Sequence, residues 1–241
     1  MLNFRDRLIN PKIDECELAD QLATTGTAFI PDFLEVFAAD ETFACLDSQV
    51  GWELAYRAGA ESKIQTVAQL SAMSAEERQV FHGSVIEQAR YDYQFAYFRY
   101  PMVDAHTQNW QPRLVLCDIL EAINDPKSLD FFRSITSDPE IRKVELQATY
   151  YAPGHFLKQH NDSATTGDDR RYACVINLTK GWESHWGGLL QFVGDHGVTS
   201  TQTPVFNSCN LFKVPQDHQV SYVAPFATRP RYALTGWLRA D

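Results

Sequence analysis

The chain has 241 residues, of which 44% are hydrophobic, enough for one sizeable core. Its formal net charge of −10, from 31 acidic and 21 basic side chains, argues against a nucleic-acid partner bound through phosphate neutralisation. The first residues place charges within each apolar run, and the five cysteines show no C-x-x-C spacing. We therefore expect no signal peptide or membrane span, and a protein of the reducing cytoplasm.

Residues 1–140 show mainly helical patterns. Apolar residues recur three or four apart, which predicts helices over residues 14–23, 38–50, 74–88, 114–122 and 128–135. Short strand-like runs interrupt them at residues 27–33, 51–58 and 93–100. The last run is aromatic and is interpreted first as a strand packed on the helices, with a substrate-facing subset as the alternative.

Residues 141–241 change to β-rich segments separated by turn residues. Six runs are typical of strands, at residues 142–152, 171–179, 188–193, 210–214, 218–223 and 231–238. Many short strands at this spacing predict a sandwich or jelly roll. The whole pattern predicts one α+β domain over residues 1–241, with the N-terminal helices packed on one sheet of the roll.

The motif that points to chemistry is His160-Asn161-Asp162. In an extended segment, residues two apart project to the same face, so both side chains can reach one metal ion. His218, on a later strand, supplies the third ligand of a two-histidine, one-carboxylate site for iron(II). Residues 163–167, small and polar, predict a mobile lid beside Asp162.

The strand after His218 carries a candidate anion-binding residue. Arg231, Thr235 and Trp237 lie on one face of an alternating run. The guanidinium of Arg231 can hold a carboxylate through two parallel hydrogen bonds. Arg229 is the alternative, and Pro230 separates the two arginines.

Four blocks of this region, in order, resemble the prolyl-4-hydroxylase-type 2-oxoglutarate/iron(II) oxygenases across about residues 141–239. They are TYYAPGHFLKQHND, RRYACVINLTKGWESHWGGLLQFV, PVFNSCNLFKVPQDHQV and RYALTGW. The spacing is most similar to the branch that hydroxylates a proline of a ribosomal protein. The resemblance implies a double-stranded β-helix with iron(II) at its mouth, and 2-oxoglutarate and O2 as cosubstrates, with ascorbate as an accessory reductant.

The resemblance also implies roles for individual residues. His160, Asp162 and His218 match the metal ligands, and Arg231 matches the base that binds 2-oxoglutarate. The remaining predicted cosubstrate residues are Tyr151, Asn177, Thr235 and Trp237. Asn177 departs from the pattern, because many relatives carry a tyrosine there, and its amide is expected to donate the replacement hydrogen bond.

The implied reaction is hydroxylation of a prolyl residue in a protein or peptide, with succinate and CO2 as coproducts. The first alternative is hydroxylation of a free amino acid or other small metabolite. The second is a jelly-roll sensor that binds metal or 2-oxoglutarate without turnover. The sequence leaves the oligomeric state open.

Overall fold

The computed structural model describes residue 4 and residues 7–111, 114–163 and 169–241. The segment predicted as a lid, residues 163–167, lies almost entirely outside the described residues. Twelve strands form one sheet in which every neighbouring pair is antiparallel. The α+β prediction is confirmed.

The strands come from both parts of the chain. They are β1 (Thr27–Ile30), β2 (Glu53–Ala58), β3 (Glu61–Thr66), β4 (Phe95–Tyr100), β5 (Lys143–Tyr151), β6 (Phe156–His160), β7 (Arg170–Asn177), β8 (Leu190–Gly194), β9 (Gly197–Gln202), β10 (Ser208–Lys213), β11 (His218–Val220) and β12 (Arg231–Arg239). Their order in the sheet is β1-β10-β7-β12-β5-β4-β6-β11-β8-β9, and β2 pairs with β4 and β3. Nine strands match predicted runs. Strand β6 was expected only as the extended segment that carries His160, whereas β3 and β9 were missed. Both are largely exposed, so neither carries the apolar alternation that identifies a half-buried strand.

The helices cover one face of the sheet. They are α1 (Glu15–Thr25), α2 (Val36–Ser48), α3 (Val67–Ala72), α4 (Ala75–Gln88), α5 (Met102–Thr107), α6 (Val115–Ile123) and α7 (Pro126–Thr136). Local signals set their ends: Asp14 caps α1 by accepting from Cys16 N and Glu17 N, and Ser74 and Glu77 form a capping box on α4. The short helices α3 and α5 were not predicted.

The main hydrophobic core lies between the sheet and the helices α1, α2, α5, α6 and α7. Ile119 of α6 and Phe132 of α7 are fully buried in one cluster with Ile176 of β7 and Leu234 of β12. Strand β12 thus gives one face to the core, while its other face, with Arg231, lines a cavity. This division places the candidate site on the side of the sheet away from the helices. None of the described helices is both long and apolar enough to pass through a lipid bilayer.

Candidate active site

The three candidate metal ligands converge at one point. His160 ends β6 and His218 begins β11, and the two residues are paired across these antiparallel strands, with ring centroids 4.1 Å apart. Asp162 Oδ1 lies 3.4 Å from His160 Nε2, and Asp162 Oδ2 lies 3.6 Å from His218 Nε2. One ligand atom from each residue lies within 4.8 Å of the others. The triad therefore fits metal binding.

Asp162 reaches this point by a different route from the predicted strand alternation. Strand β6 ends at His160, and Asp162 has φ 56°, in the left-handed region. Asp is one of the few non-glycine residues that adopt this conformation readily. The turn brings the carboxylate toward the histidine rings, so a local backbone turn replaces the expected extended geometry.

Backbone carbonyls fix the tautomers of both histidines. His160 Nδ1 lies 3.0 Å from Lys158 O, and His218 Nδ1 lies 2.7 Å from Gln216 O. A carbonyl oxygen only accepts hydrogen bonds, so each Nδ1 carries the hydrogen. Each Nε2 then presents its lone pair toward Asp162, which is the arrangement that metal-ligating histidines use.

Burial and mutual charge set the protonation of the cluster. Burial by itself would raise the pKa of Asp162, but in the absence of a metal the protonated forms of His160 and His218 stabilise its carboxylate, outweigh burial and lower that pKa. Burial, helped by the neighbouring His160, lowers the pKa of His218. An ionised carboxylate and a neutral imidazole are the forms that bind a divalent metal.

A cavity of about 230 Å³ connects the triad with Arg231. Its polar walls include Tyr151 and Thr235. The apolar side chains that line it are Leu157, Ala173, Val175, Phe212 and Val220. A mostly apolar enclosure with a few converging polar groups is typical of a site for a small ligand.

Arg231 is the unusual residue of this cavity. It is 2% exposed, and its Nη2 donates to Asn177 Oδ1 over 3.3 Å. Its Nε has no hydrogen-bond partner among the described residues, and no described carboxylate forms an ion pair with it. A buried guanidinium without a counter-charge is costly, and a ligand carboxylate would satisfy it. The cavity therefore fits 2-oxoglutarate.

The alternative arginine lies elsewhere. Arg229 is exposed, and its Nη1 donates to Lys180 O over 2.8 Å. It is not among the residues that line the cavity. The geometry thus favours Arg231 for the anion-binding role.

The predicted cosubstrate residues divide into two groups. Tyr151, Thr235 and Trp237 line the cavity, and the Arg231 guanidinium lies 5.3 Å from the centre of the Tyr151 ring. Asn177 does not line it. Its amide nitrogen donates to Ser208 Oγ and its amide oxygen accepts from Arg231, so both ends of the amide have protein partners, and its hydrogen bond to the cosubstrate stays a prediction.

Besides the apolar residues already named, the cavity is lined by polar residues that were not assigned to it from the sequence. They are Tyr93, Tyr97, Gln147, Thr149 and Arg170. The Tyr97 ring stacks on Tyr151 with centroids 5.2 Å apart, and the Arg170 guanidinium lies 3.9 Å from the Trp237 ring. The aromatic alternation at residues 93–100 is the sequence feature that could have identified the two tyrosines. The presence of Tyr93 and Tyr97 in the cavity wall supports the alternative that part of this run faces the substrate.

A wider groove of about 690 Å³ leads outward from the triad. It shares Tyr93, His160 and Asp162 with the inner cavity. Lys158, on the same surface, donates from Nζ to the carbonyls of Ala89 and Asp92 over 2.8 and 2.6 Å. The groove offers room for a ligand much larger than the inner cavity holds.

Residues 146–239 match the family model described as the 2OG-Fe(II) oxygenase superfamily. This span contains the whole triad, Arg231 and the other cavity residues of β12. Comparison with curated protein sequences finds no match.

Solved structures share the fold at low sequence identity. A Pseudomonas putida prolyl-4-hydroxylase is 22% identical, with a TM-score of 0.56, covering 95% of this chain and 100% of that one. A Burkholderia pseudomallei 2OG-Fe(II) oxygenase-family oxidoreductase is 14% identical, with a TM-score of 0.59 and coverages of 95% and 92%. A Trichoplax adhaerens prolyl hydroxylase, in complex with a hypoxia-inducible-factor peptide fragment, is 17% identical, with a TM-score of 0.56 and coverages of 94% and 89%.

Proposed function

Starting from its place among the 2OG-Fe(II) oxygenases, we propose that this 2-oxoglutarate-dependent dioxygenase hydroxylates a prolyl residue of a protein or peptide. The match of residues 146–239 confirms the predicted enzyme class and its use of iron(II), 2-oxoglutarate and O2. The observation that carries the proposal is the cavity that joins a His-Asp-His triad to a buried guanidinium, which forms no ion pair with a described carboxylate.

In this proposal His160, Asp162 and His218 hold the iron. Two imidazoles and one carboxylate would hold iron(II) while leaving it free to accept the cosubstrate and O2. Iron bound there supplies the redox chemistry that couples oxidation of 2-oxoglutarate to hydroxylation of the substrate. The carbonyls of Lys158 and Gln216 keep both rings oriented.

Arg231 binds the distal carboxylate of 2-oxoglutarate, with Tyr151, Thr235 and Trp237 around it. Because the guanidinium is buried, water does not compete for its hydrogen bonds, and the ion pair is stronger than one at the surface. The apolar side chains Leu157, Phe212 and Val220 exclude water from the rest of the cavity.

The substrate assignment rests on the size of the outer groove and on the structural neighbours. The outer groove is about three times as large as the inner cavity, which suits an extended chain better than a small metabolite. The Pseudomonas and Trichoplax neighbours are named prolyl hydroxylases, and the latter was solved with a peptide. The net charge of −10 favours a basic peptide on approach.

We also propose that residues 1–241 form a single oxygenase domain. Strands β1 and β4, from the first 140 residues, pair with β10, β5 and β6 of the remainder. The first part of the chain therefore supplies strands to the same sheet as well as helices that cover it.

The test is a hydroxylation assay with iron(II), ascorbate and 2-oxoglutarate. Prolyl peptides, with ribosomal-protein sequences first, are compared with free L-proline, and His160→Ala is the inactive control. We expect a peptide to gain one oxygen atom in mass spectrometry, with a matching amount of succinate. Hydroxylation of free proline alone would replace the peptide proposal with the metabolite alternative.

A further inference from the structure

The guanidinium of Arg231 is held by a neutral partner. Its Nη2 donates to the amide oxygen of Asn177, and no described carboxylate pairs with it. A carboxylate at that position would cancel the buried positive charge, whereas an amide supplies a hydrogen bond and leaves the charge intact. The cavity therefore keeps a positive end that is available to an anion.

Asn177 is itself fixed by a buried hydrogen-bonded chain. Its Nδ2 donates to Ser208 Oγ over 3.2 Å, and Ser208 Oγ donates to Val205 O over 2.8 Å. Because the serine hydrogen goes to a carbonyl, the serine oxygen is left to accept from the amide nitrogen. This fixes the orientation of the amide, with its oxygen toward Arg231.

The position of Asn177 and Ser208 in the sheet holds this series of hydrogen bonds in place. Asn177 ends β7, where it is paired with Ser208 of β10 on one side and Ala233 of β12 on the other. Asn177 and Ser208 are both fully buried. The side chain that holds Arg231 is thus anchored to two strands in the middle of the sheet.

We infer that Asn177 is a positioning residue for the cosubstrate: it orients Arg231 without neutralising it, and so gives the cavity its preference for a 2-oxo acid with a second carboxylate. This inference rests on the proposed function, in which Arg231 binds 2-oxoglutarate. Asn177 then acts through Arg231 and does not contact the reacting atoms.

The experiment contrasts two ligands on two proteins. 2-Oxopentanoate has the keto-acid end of 2-oxoglutarate but a methyl group in place of the distal carboxylate. Both ligands are titrated calorimetrically into manganese(II)-loaded protein, which binds without turnover. Asn177→Asp places a carboxylate beside Arg231, so we expect roughly tenfold to hundredfold weaker binding of 2-oxoglutarate. Binding of 2-oxopentanoate should stay within about twofold of wild type.

Asn210→Asp is the matched control. Asn210 of β10 is also a buried asparagine of the same sheet, paired with Val175 of β7, and the side-chain hydrogen bond that Arg231 makes goes to Asn177 instead. It introduces the same charge without neutralising the guanidinium, so the ligand preference should remain that of wild type. If Asn177→Asp does not fold, Asn177→Ser provides the second variant, and its binding of 2-oxoglutarate should fall more than its binding of 2-oxopentanoate.

The outcomes separate this inference from the function beneath it. No preference of the wild-type protein for 2-oxoglutarate would overturn the proposed role of Arg231, and the inference with it. A wild-type preference that survives in Asn177→Asp would overturn the inference alone. Equal weakening of both ligands would show a purely structural role for Asn177 and would also overturn it.

Discussion

Strand β12 buries seven of its nine residues, whereas in the outer layer, defined as residues 59–92, only Val85 is buried. The outer layer comprises β3, α3 and α4. Strand β3 pairs with β2, and α4 packs on the sheet through a small cluster in which the rings of Tyr56 and Phe81 have centroids 4.8 Å apart. Its last residues, Tyr91 and Asp92, border the outer groove.

The contrast assigns different tasks to the two regions. Groups that bind a metal and a cosubstrate must be held within a few tenths of an ångström, which a densely packed strand provides. A groove that admits a peptide has to adapt to it, and weakly packed segments open at low free-energy cost. We therefore expect changes in β12 and the triad to affect chemistry, and changes in the outer layer to affect substrate access.

The largest effect should come from the triad. In Asp162→Ala the two imidazoles lose the carboxylate between them, and we expect succinate formation to fall by about a thousandfold or more. Calorimetry with manganese(II) should show the loss of metal binding directly. His196→Ala, at an exposed loop residue, is the control and should behave as wild type. Unchanged metal affinity in Asp162→Ala would place the metal elsewhere.

The packing contrast predicts a difference in stability. Leu234 of β12 is fully buried, so Leu234→Ala should lower the free energy of unfolding by about 2–5 kcal/mol through lost burial and the cavity left behind. Val80 of α4 is 67% exposed, so Val80→Ala should change it by less than about 0.5 kcal/mol. Urea denaturation measures both. Equal losses would show that the outer layer is as firmly packed as the core.

A buried histidine close to the outer layer predicts a pH dependence. Burial lowers the pKa of His155 from 6.5 to about 4, with His82 of α4 adding a smaller effect in the same direction. Below pH 6.5 the unfolded chain takes up a proton that the folded protein refuses until about pH 4. Stability should therefore fall as the pH drops through this window, by at most about 3 kcal/mol from this group.

His155→Gln tests that prediction, because glutamine does not titrate. Its stability curve should be flatter between pH 6.5 and 4 than that of wild type, even if its stability at pH 7 is lower. His155 Nδ1 accepts from Ala152 N, so some loss at neutral pH is expected. Parallel curves for the two proteins would contradict the assignment.

The sequence predicted the core strands because their alternation is local, and it predicted the triad because the His160 and Asp162 pair is followed by His218 and the later blocks in a fixed order. Alternation along residues 231–237 identifies the face that carries Arg231, and the spacing of His160 and Asp162 identifies a ligand pair. Tyr93 and Tyr97 enter the cavity because β4 pairs with both β5 and β6, with Phe95 opposite Leu157. The sequence of β4 alone does not show which strands it pairs with or in which register.

Two details of the site depended on backbone geometry and partner choice. The left-handed turn at Asp162 follows the end of β6. Asn161 and Asp162 are residue types that favour turns, but they do not fix the residue at which the strand ends. Asn177 was expected at the cavity wall, but its partners Ser208 and Arg231 lie 31 and 54 residues away in the chain. Both differences concern how a residue reaches the site.

The two arginines give the sharpest test of the contrast between a buried strand and an exposed loop. Arg231→Met removes the charge and keeps most of the side-chain length, so 2-oxoglutarate should bind with roughly tenfold to hundredfold lower affinity. The unliganded protein should be as stable as wild type or more so, because a buried unpaired charge has been replaced by an apolar chain. Arg229→Ala is the control, since Arg229 is exposed and donates only to Lys180 O among the described residues. Titration calorimetry and urea denaturation measure the two quantities. A larger loss of 2-oxoglutarate affinity in Arg229→Ala would move the distal carboxylate from the buried strand to the loop before it, and would mean that dense packing does not mark the binding residues of this site.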